Sequence, residues 1–134
     1  MTVLFDSSVI VDLLTASEHA DWVADRMEEL AGEEFAINPI VYAEVSVPYT
    51  SAAALEADLE PFAFLRLELP WAAAFTAGKA YHMYKDRGGT RTSPMPDFYI
   101  AAHAREAGLK LLTRDGPRLL GYFPGLSVIA PGLP

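Results

Sequence analysis

The stretch from Pro94 to Asp115, PMPDFYIAAHAREAGLKLLTRD, leaves few choices of local structure. Pro94 and Pro96 precede Asp97, helix-forming residues follow with an apolar set at Phe98, Ile100, Ala101, Ala104 and Ala107, and Gly108 closes the run. These are helix start and stop signals, and they set Asp97 at or just inside the helix N-terminus. The apolar run Leu109 to Leu112 then reads as a short buried strand, with Thr113, Arg114 and Asp115 where it ends. A helix that crosses back over a parallel sheet begins at the edge where strands finish. Asp97 and Asp115 are therefore expected on one rim, where open α/β sheets bind ligands.

The same grammar recurs along the chain. Val3 to Phe5 predicts a strand running into Asp6, Ser7 and Ser8, with Val9, Ile10, Val11, Asp12, Leu13 and Leu14 opening a helix. Asp6, like Asp115, falls at the carboxyl end of a strand. Ser17 is placed to cap a second helix with Ala20, Val23, Met27 and Leu30 at helical spacing, Gly32 as its stop and an acidic face turned to water. Phe35 to Ile37 is a second strand, and Asn38 followed by Pro39 caps the next helix, which carries Glu44 near the same rim. Pro48 should end or kink that helix within a turn. Ser51 to Glu60 predicts a further helix with Leu55 and Leu59 inward and Pro61 closing it.

Leu65, Leu67 and Leu69 alternate with Arg66 and Glu68, as in a strand near a sheet edge. From Pro70 to Arg87 a helix carries Trp71, Phe75, Tyr81 and Tyr84; their spacing fits a core stripe better than a base-stacking surface. Gly88 and Gly89 end it, and the loop to Pro96 leads to Asp97. Past Asp115, Gly116 to Tyr122 predicts a turn and short helix, and Leu126 to Ala130 a last strand. Helices alternating with short hydrophobic strands predict an α/β, three-layer fold, a mainly parallel sheet of four or five strands flanked by helices.

At 134 residues the chain is expected to form a single domain, residues 1–134. It has no cysteine, which excludes disulfides, thiolate metal sites and a cysteine nucleophile. Asp6 and Asp12 interrupt the only apolar run near the N-terminus, so neither a signal peptide nor a membrane span is expected, and the cytoplasm is the expected location. The net charge of −8 opposes nucleic-acid binding at first sight, but it is unevenly spread. Residues 1–78 hold 14 Asp and Glu against 2 Lys and Arg, whereas residues 79–134 hold 4 against 8. The basic half carries Asp97 and Asp115.

Asp6, Glu44, Asp97 and Asp115 come from four parts of the chain and all fall at strand ends or helix starts on one edge. Each alone reads as a turn residue, a cap or a surface acid. Together they are a cluster of like charges that raise each other's pKa, a conflict that a divalent cation resolves. All-oxygen ligation favours Mg²⁺ or Mn²⁺ and suits phosphodiester hydrolysis. Ser7, Ser8 and Thr113 have hydroxyls placed to orient a carboxylate, a water or a phosphate. His19, His82 and His103 share no ligand spacing and read as surface or packing residues, and Asp12 reads as lying on a helix flank.

The strings VLFDSSVIVDLL, NPIVYAEVSV, DFYIAAHA and LLTRD, followed by YFPGLSVIAP, resemble in order and spacing the PIN-domain ribonucleases, and more narrowly the VapC-type toxins of type II toxin-antitoxin systems. The resemblance runs the length of the chain. It implies that Asp6, Glu44, Asp97 and Asp115 form the acidic metal and catalytic site, supported by Thr113. It implies an endoribonuclease that uses Mg²⁺ or Mn²⁺ on single-stranded or loop RNA, a tRNA or rRNA loop, leaving a 5′-phosphate and a 3′-hydroxyl. It also implies a homodimer held inactive by a small antitoxin that places an arginine among the carboxylates.

On this reading Asp6 and Asp97 are the first choice for direct ligands, with Glu44 and Asp115 binding metal, holding its waters or acting as the base. Arg91, Arg114 and Arg118 are candidate contacts to RNA phosphates. Two rivals are a catalytically silent PIN-like protein-binding module and a signalling receiver domain with an acidic Mg²⁺ pocket. The receiver would need a second acid after Asp6 and a late lysine at a strand end. The chain has Ser7 and Ser8 in the first place and no such lysine in the second.

Overall fold

The computed structural model of the chain describes residues 1–90 and 95–133. Its elements are β1 (Thr2–Phe5), α1 (Ser7–Thr15), α2 (Ala20–Glu29), β2 (Glu34–Ile37), α3 (Pro39–Ser46), α4 (Ala52–Leu59), a 3-10 turn (Glu60–Phe62) and β3 (Leu65–Arg66). There follow α5 (Trp71–Asp86), α6 (Met95–Glu106), β4 (Lys110–Leu112), α7 (Gly116–Leu120) and β5 (Ser127–Ile129). The strands form a five-stranded sheet in the order β3-β2-β1-β4-β5, with every pairing parallel. The central strand is β1, whose Val3, Leu4 and Phe5 are wholly buried. A continuous apolar run, rather than alternation, is what burial on both faces requires.

From β1 the chain first moves outward to β2 and β3, then returns across to β4 and β5 on the other side. The crevice between the ends of β1 and β4 is thus the topological switch point, the usual ligand site of such sheets. Short caps fix the helices that start at this rim. Asp6 takes extended backbone and accepts the N–H of Ser7 at the head of α1, and Asn38 accepts the N–H of Val41 at the head of α3. Ser51 caps α4 in the same way, with Leu55 and Leu59 turned inward as the spacing predicted. β3 is the edge strand expected of the alternating leucines, though only two residues long, and Leu65 is exposed.

Helices α5 and α6 form an antiparallel pair: Thr76 Oγ1 donates to Glu106 Oε1 at 2.7 Å, while Tyr84 meets Phe98 with ring centroids 5.8 Å apart. α6 buries Phe98, Ile100, Ala101, Ala102, His103 and Ala104, covering nearly its whole circumference, because it lies between α5, α3 and β4. Phe98 also packs on Tyr122 and Phe123. The short helix α7 can sit against β5 only because residue 116 is glycine. A Cβ there would come within 2.6 Å of Ala130 and 2.8 Å of Val128.

Three expectations from the sequence need correction. The aromatic stripe of α5 is a core stripe only in part: Tyr84 is buried and Tyr81 packs against the core, but Trp71 is 92% and Phe75 70% exposed. The buried face is Ala73, Ala77, Ala80 and Tyr84, roughly opposite on the helix, and small side chains are what let α5 approach α6 closely. Ser17 does not cap α2, which has no side-chain cap; its hydroxyl donates to Asp12 Oδ1 at 2.8 Å. Among the described residues the basic half reaches the rim only in part, through Arg114 and Arg118. Lys110 lies at the far end of β4, 3.5 Å from Glu33, Arg105 bonds the carbonyl of Pro124, and Arg87 bonds that of Gly121.

Candidate metal centre

Parallel pairing sets Phe5 beside Leu112, so the next residues, Asp6 and Thr113, emerge side by side from β1 and β4. Thr113 is fully buried and its Oγ1 donates to Asp6 Oδ2 at 2.7 Å. Ser8 Oγ donates to the same oxygen at 3.0 Å, and the N–H of Ser7 donates to Oδ1 at 2.8 Å. The Asp6 carboxylate, 6% exposed, is therefore fixed in position and direction. Burial pushes its pKa above the ordinary 3.8, the charge of Asp97 adds to this, and the bonds from Thr113, Ser8 and Ser7 oppose it.

Glu44 reaches the same point from α3. Ser7 Oγ donates to its Oε1 at 2.9 Å and also lies 3.5 Å from Asp6 Oδ1, so one hydroxyl sits between two acids. Partial burial raises the Glu44 pKa from 4.5, and the charges of Asp97 and Asp6 add to the effect. Asp97, in the first turn of α6, completes the group: one oxygen from each of Asp6, Glu44 and Asp97 lies within 4.8 Å of the others. With Ser7, Ser8, Val11, Arg114 and Asp115 these residues line an open cleft of about 470 Å³.

All four acids named from the sequence thus face one cleft, but they are not equivalent. Asp115 lies outside the close group and is engaged by Arg118, whose Nε and Nη2 donate to its Oδ2 at 2.8 and 2.6 Å. The same Nη2 donates to Asp97 Oδ2 at 2.7 Å. Burial works against the Arg118 cation, yet its bonds to Asp115 and Asp97 hold its pKa above the usual range. Arg118 therefore bridges two carboxylates, while Arg114 lines the cleft and Arg91 lies outside the described residues. The spacing of Asp115 and Arg118, three residues apart on a helical turn, is an ion-pair signal that could have been read from the sequence.

The donor set fits a hard divalent cation. It is all oxygen, two of its three carboxyls are pushed toward the protonated form by burial and mutual charge, and a dication would relieve both pressures. The histidines take no part. His103 is buried and its Nδ1 lies 3.0 Å from Asn38 Nδ2, as a packing residue would, while His19 and His82 pair with Glu18 and Asp86.

A family model described as the PIN domain matches residues 3–116. No curated protein matches the sequence. Among solved structures, the chain is similar to one in the complex of VapBC2 from Rickettsia felis bound to a DNA fragment from their promoter, with a TM-score of 0.73 at 20% identity over 97% of this chain and 98% of that one. It is similar also to a chain of VapBC-1 from nontypeable Haemophilus influenzae, TM-score 0.73 at 20% identity, covering 97% and 98%. A chain of FitAcB from Neisseria gonorrhoeae gives 0.72 at 23% identity, covering 96% and 97%. At these identities the likeness speaks for the fold.

Proposed function

The chain belongs to the PIN-domain family, and on that premise we propose that it is a metal-dependent endoribonuclease, the toxin of a toxin-antitoxin pair that slows translation and growth by cutting RNA. The observation that carries this is the convergence of Asp6, Glu44 and Asp97 within 4.8 Å at the switch point of the sheet. Mg²⁺ or Mn²⁺ held by these three would supply Lewis acidity toward a phosphodiester and make water a better nucleophile.

The side chains divide the remaining work. Asp6 is the anchor, because three hydrogen bonds and burial leave it no other position. Glu44 reaches the cleft from α3, where the bond from Ser7 turns its carboxylate toward the space in which a water would be activated. Asp97 ties the site to α6. Arg118 keeps Asp115 from adding a further bare negative charge where a phosphate must enter.

The partners follow from the same chemistry. A preformed group of carboxylates is a receptor for a guanidinium, which supports an antitoxin that inserts an arginine here. The complexes from R. felis and H. influenzae are of VapBC type, which supports the same partner for this chain, and we extend the proposal to a homodimer.

The test is cleavage of an end-labelled structured RNA by the purified chain in Mn²⁺ and in EDTA. Cleavage in Mn²⁺ alone, abolished in Asp97→Asn and leaving 5′-phosphate ends, is the expected result. Metal-independent cleavage, or full activity in the variant, would sink the assignment. Harmless expression of folded wild type without a partner would favour a silent binding module.

A further inference from the structure

Asp12 lies one to two turns into α1, apart from the three acids of the cleft, and is 2% exposed. A buried carboxylate has to be compensated, and two groups do it. Ser17 Oγ donates to Oδ1 at 2.8 Å. Oδ2 accepts no aligned hydrogen bond but lies 2.5 Å from Nε of Arg114, so an ion pair meets its charge. The main chain of Arg114 is held as well. Its N–H approaches Ser8 Oγ at 3.5 Å, and the preceding residue, Thr113, is bonded to Asp6.

This leaves Arg114, among the described residues, with one edge used and one edge free. Among the described residues no hydrogen bond ends on Nη1 or Nη2 of Arg114, its side chain is 36% exposed, and it lines the same cleft as Asp6, Glu44 and Asp97. Arg118 differs, with its Nε and Nη2 turned onto Asp115 and Asp97 and its Nη1 buried. A guanidinium pinned through Nε by a buried acid presents its terminal donors as a fixed fork, the shape that matches two oxygens of one phosphate.

We propose that Asp12 and Arg114 form a phosphate clamp: Arg114 binds the RNA backbone beside the cleaved bond, and Asp12 is a positioning residue that holds Arg114 in place without touching the substrate. This rests on the nuclease reading and assigns the substrate's phosphate to a specific cation of the cleft. It also gives Ser17 a purpose, because its hydroxyl secures the free oxygen of Asp12.

The experiment measures binding of a fluorescent single-stranded oligoribonucleotide by anisotropy at several salt concentrations, in an Asp97→Asn background so that the RNA survives. Arg114→Gln should weaken binding about fivefold or more and reduce the slope of log K against log salt by about 0.7, one single-strand phosphate contact. Arg114→Lys should keep the slope and recover only part of the affinity, because an ammonium lacks the fork. Asp12→Asn should weaken binding about threefold with the slope unchanged, and should have no further effect once Arg114 is Gln.

Unchanged affinity and slope in Arg114→Gln would overturn the clamp. An equal loss from Asp12→Asn with and without Arg114 would show that Asp12 only supports the fold. A loss confined to binding of an acidic protein partner would overturn the RNA assignment of Arg114. Failure of the nuclease reading looks different: the Asp97→Asn protein would bind no RNA at any salt, and the wild type would gain no thermal stability from Mn²⁺.

Discussion

At Asp6 function and stability oppose each other. Its ionised carboxylate is held in a buried place beside two other acids, so neutralising it should stabilise the metal-free fold. Asp6→Asn keeps the acceptor for Ser7 N–H, and the hydroxyls of Thr113 and Ser8 can turn to accept. Thermal melts at pH 8 without metal should show it with a higher midpoint than the wild type, with cleavage lost. A lower midpoint would mean that hydrogen bonding to the carboxylate outweighs its burial. The gain should be smaller for Asp97→Asn, because Arg118 already compensates Asp97. His103 is the other informative residue. Val41 N–H takes Asn38 Oδ1, so Asn38 Nδ2 must donate to His103 Nδ1, and the imidazole is neutral in the fold. Burial lowers its pKa from 6.5, so the unfolded chain binds that proton first. Its contribution is present above pH 6.5 and declines as the pH falls toward the lowered value. In His103→Gln this part of the acid sensitivity should vanish from a pH series of urea melts.

Among the elements, α3 and α5 show how local signals and packing divide the work. The α3 start was legible from Asn38 and Pro39, and the structure keeps it while giving Asn38 a second task at His103. Asn38→Ala should therefore cost more than an ordinary cap, about 2 kcal/mol or above in chemical denaturation, since a buried ring nitrogen loses its donor. A loss under 0.5 kcal/mol would show that the cap and the ring bond are dispensable. In α5 the sequence was read as one inward stripe of Trp71, Phe75, Tyr81 and Tyr84, but Tyr84 shares its face with Ala73, Ala77 and Ala80 while Trp71 and Phe75 point away. Contact with α6 decided for the alanines. Ala77→Leu should destabilise by about 1–3 kcal/mol through overpacking, whereas Trp71→Gln should shift stability by no more than about 0.5 kcal/mol. Similar effects from the two would contradict this burial.

For the whole molecule, the cleft acids and His103 give opposite responses to acid. Asp6 and Glu44 have raised folded pKa values, so their penalty is complete above those values and is relieved as the pH falls toward 3.8 and 4.5. Bound metal should cancel that part, because it offsets the same charges. Saturating Mn²⁺ should raise the thermal midpoint at pH 7.5 and lose its effect as the pH drops through the acids' titration. No shift at millimolar Mn²⁺ in wild type would count against a metal site. In Asp6→Asn the Mn²⁺ shift should disappear while the fold persists.

The sequence by itself determined which segments become strands and helices, and it put Asp6, Glu44, Asp97 and Asp115 at the rim. Those choices rest on near neighbours: an apolar run ending in a polar turn, a cap followed by proline, a glycine after the last helical turn. It did not decide the order of the strands, the inward face of α5, the burial of Asp12, or which acids an arginine would claim. These depend on contacts between residues far apart in the chain, such as Asp6 with Thr113, Asp12 with Arg114 and Asn38 with His103. Whether a carboxylate becomes a free ligand or half of an ion pair is set by what folding brings against it, and only the packed sheet and its helices supply that.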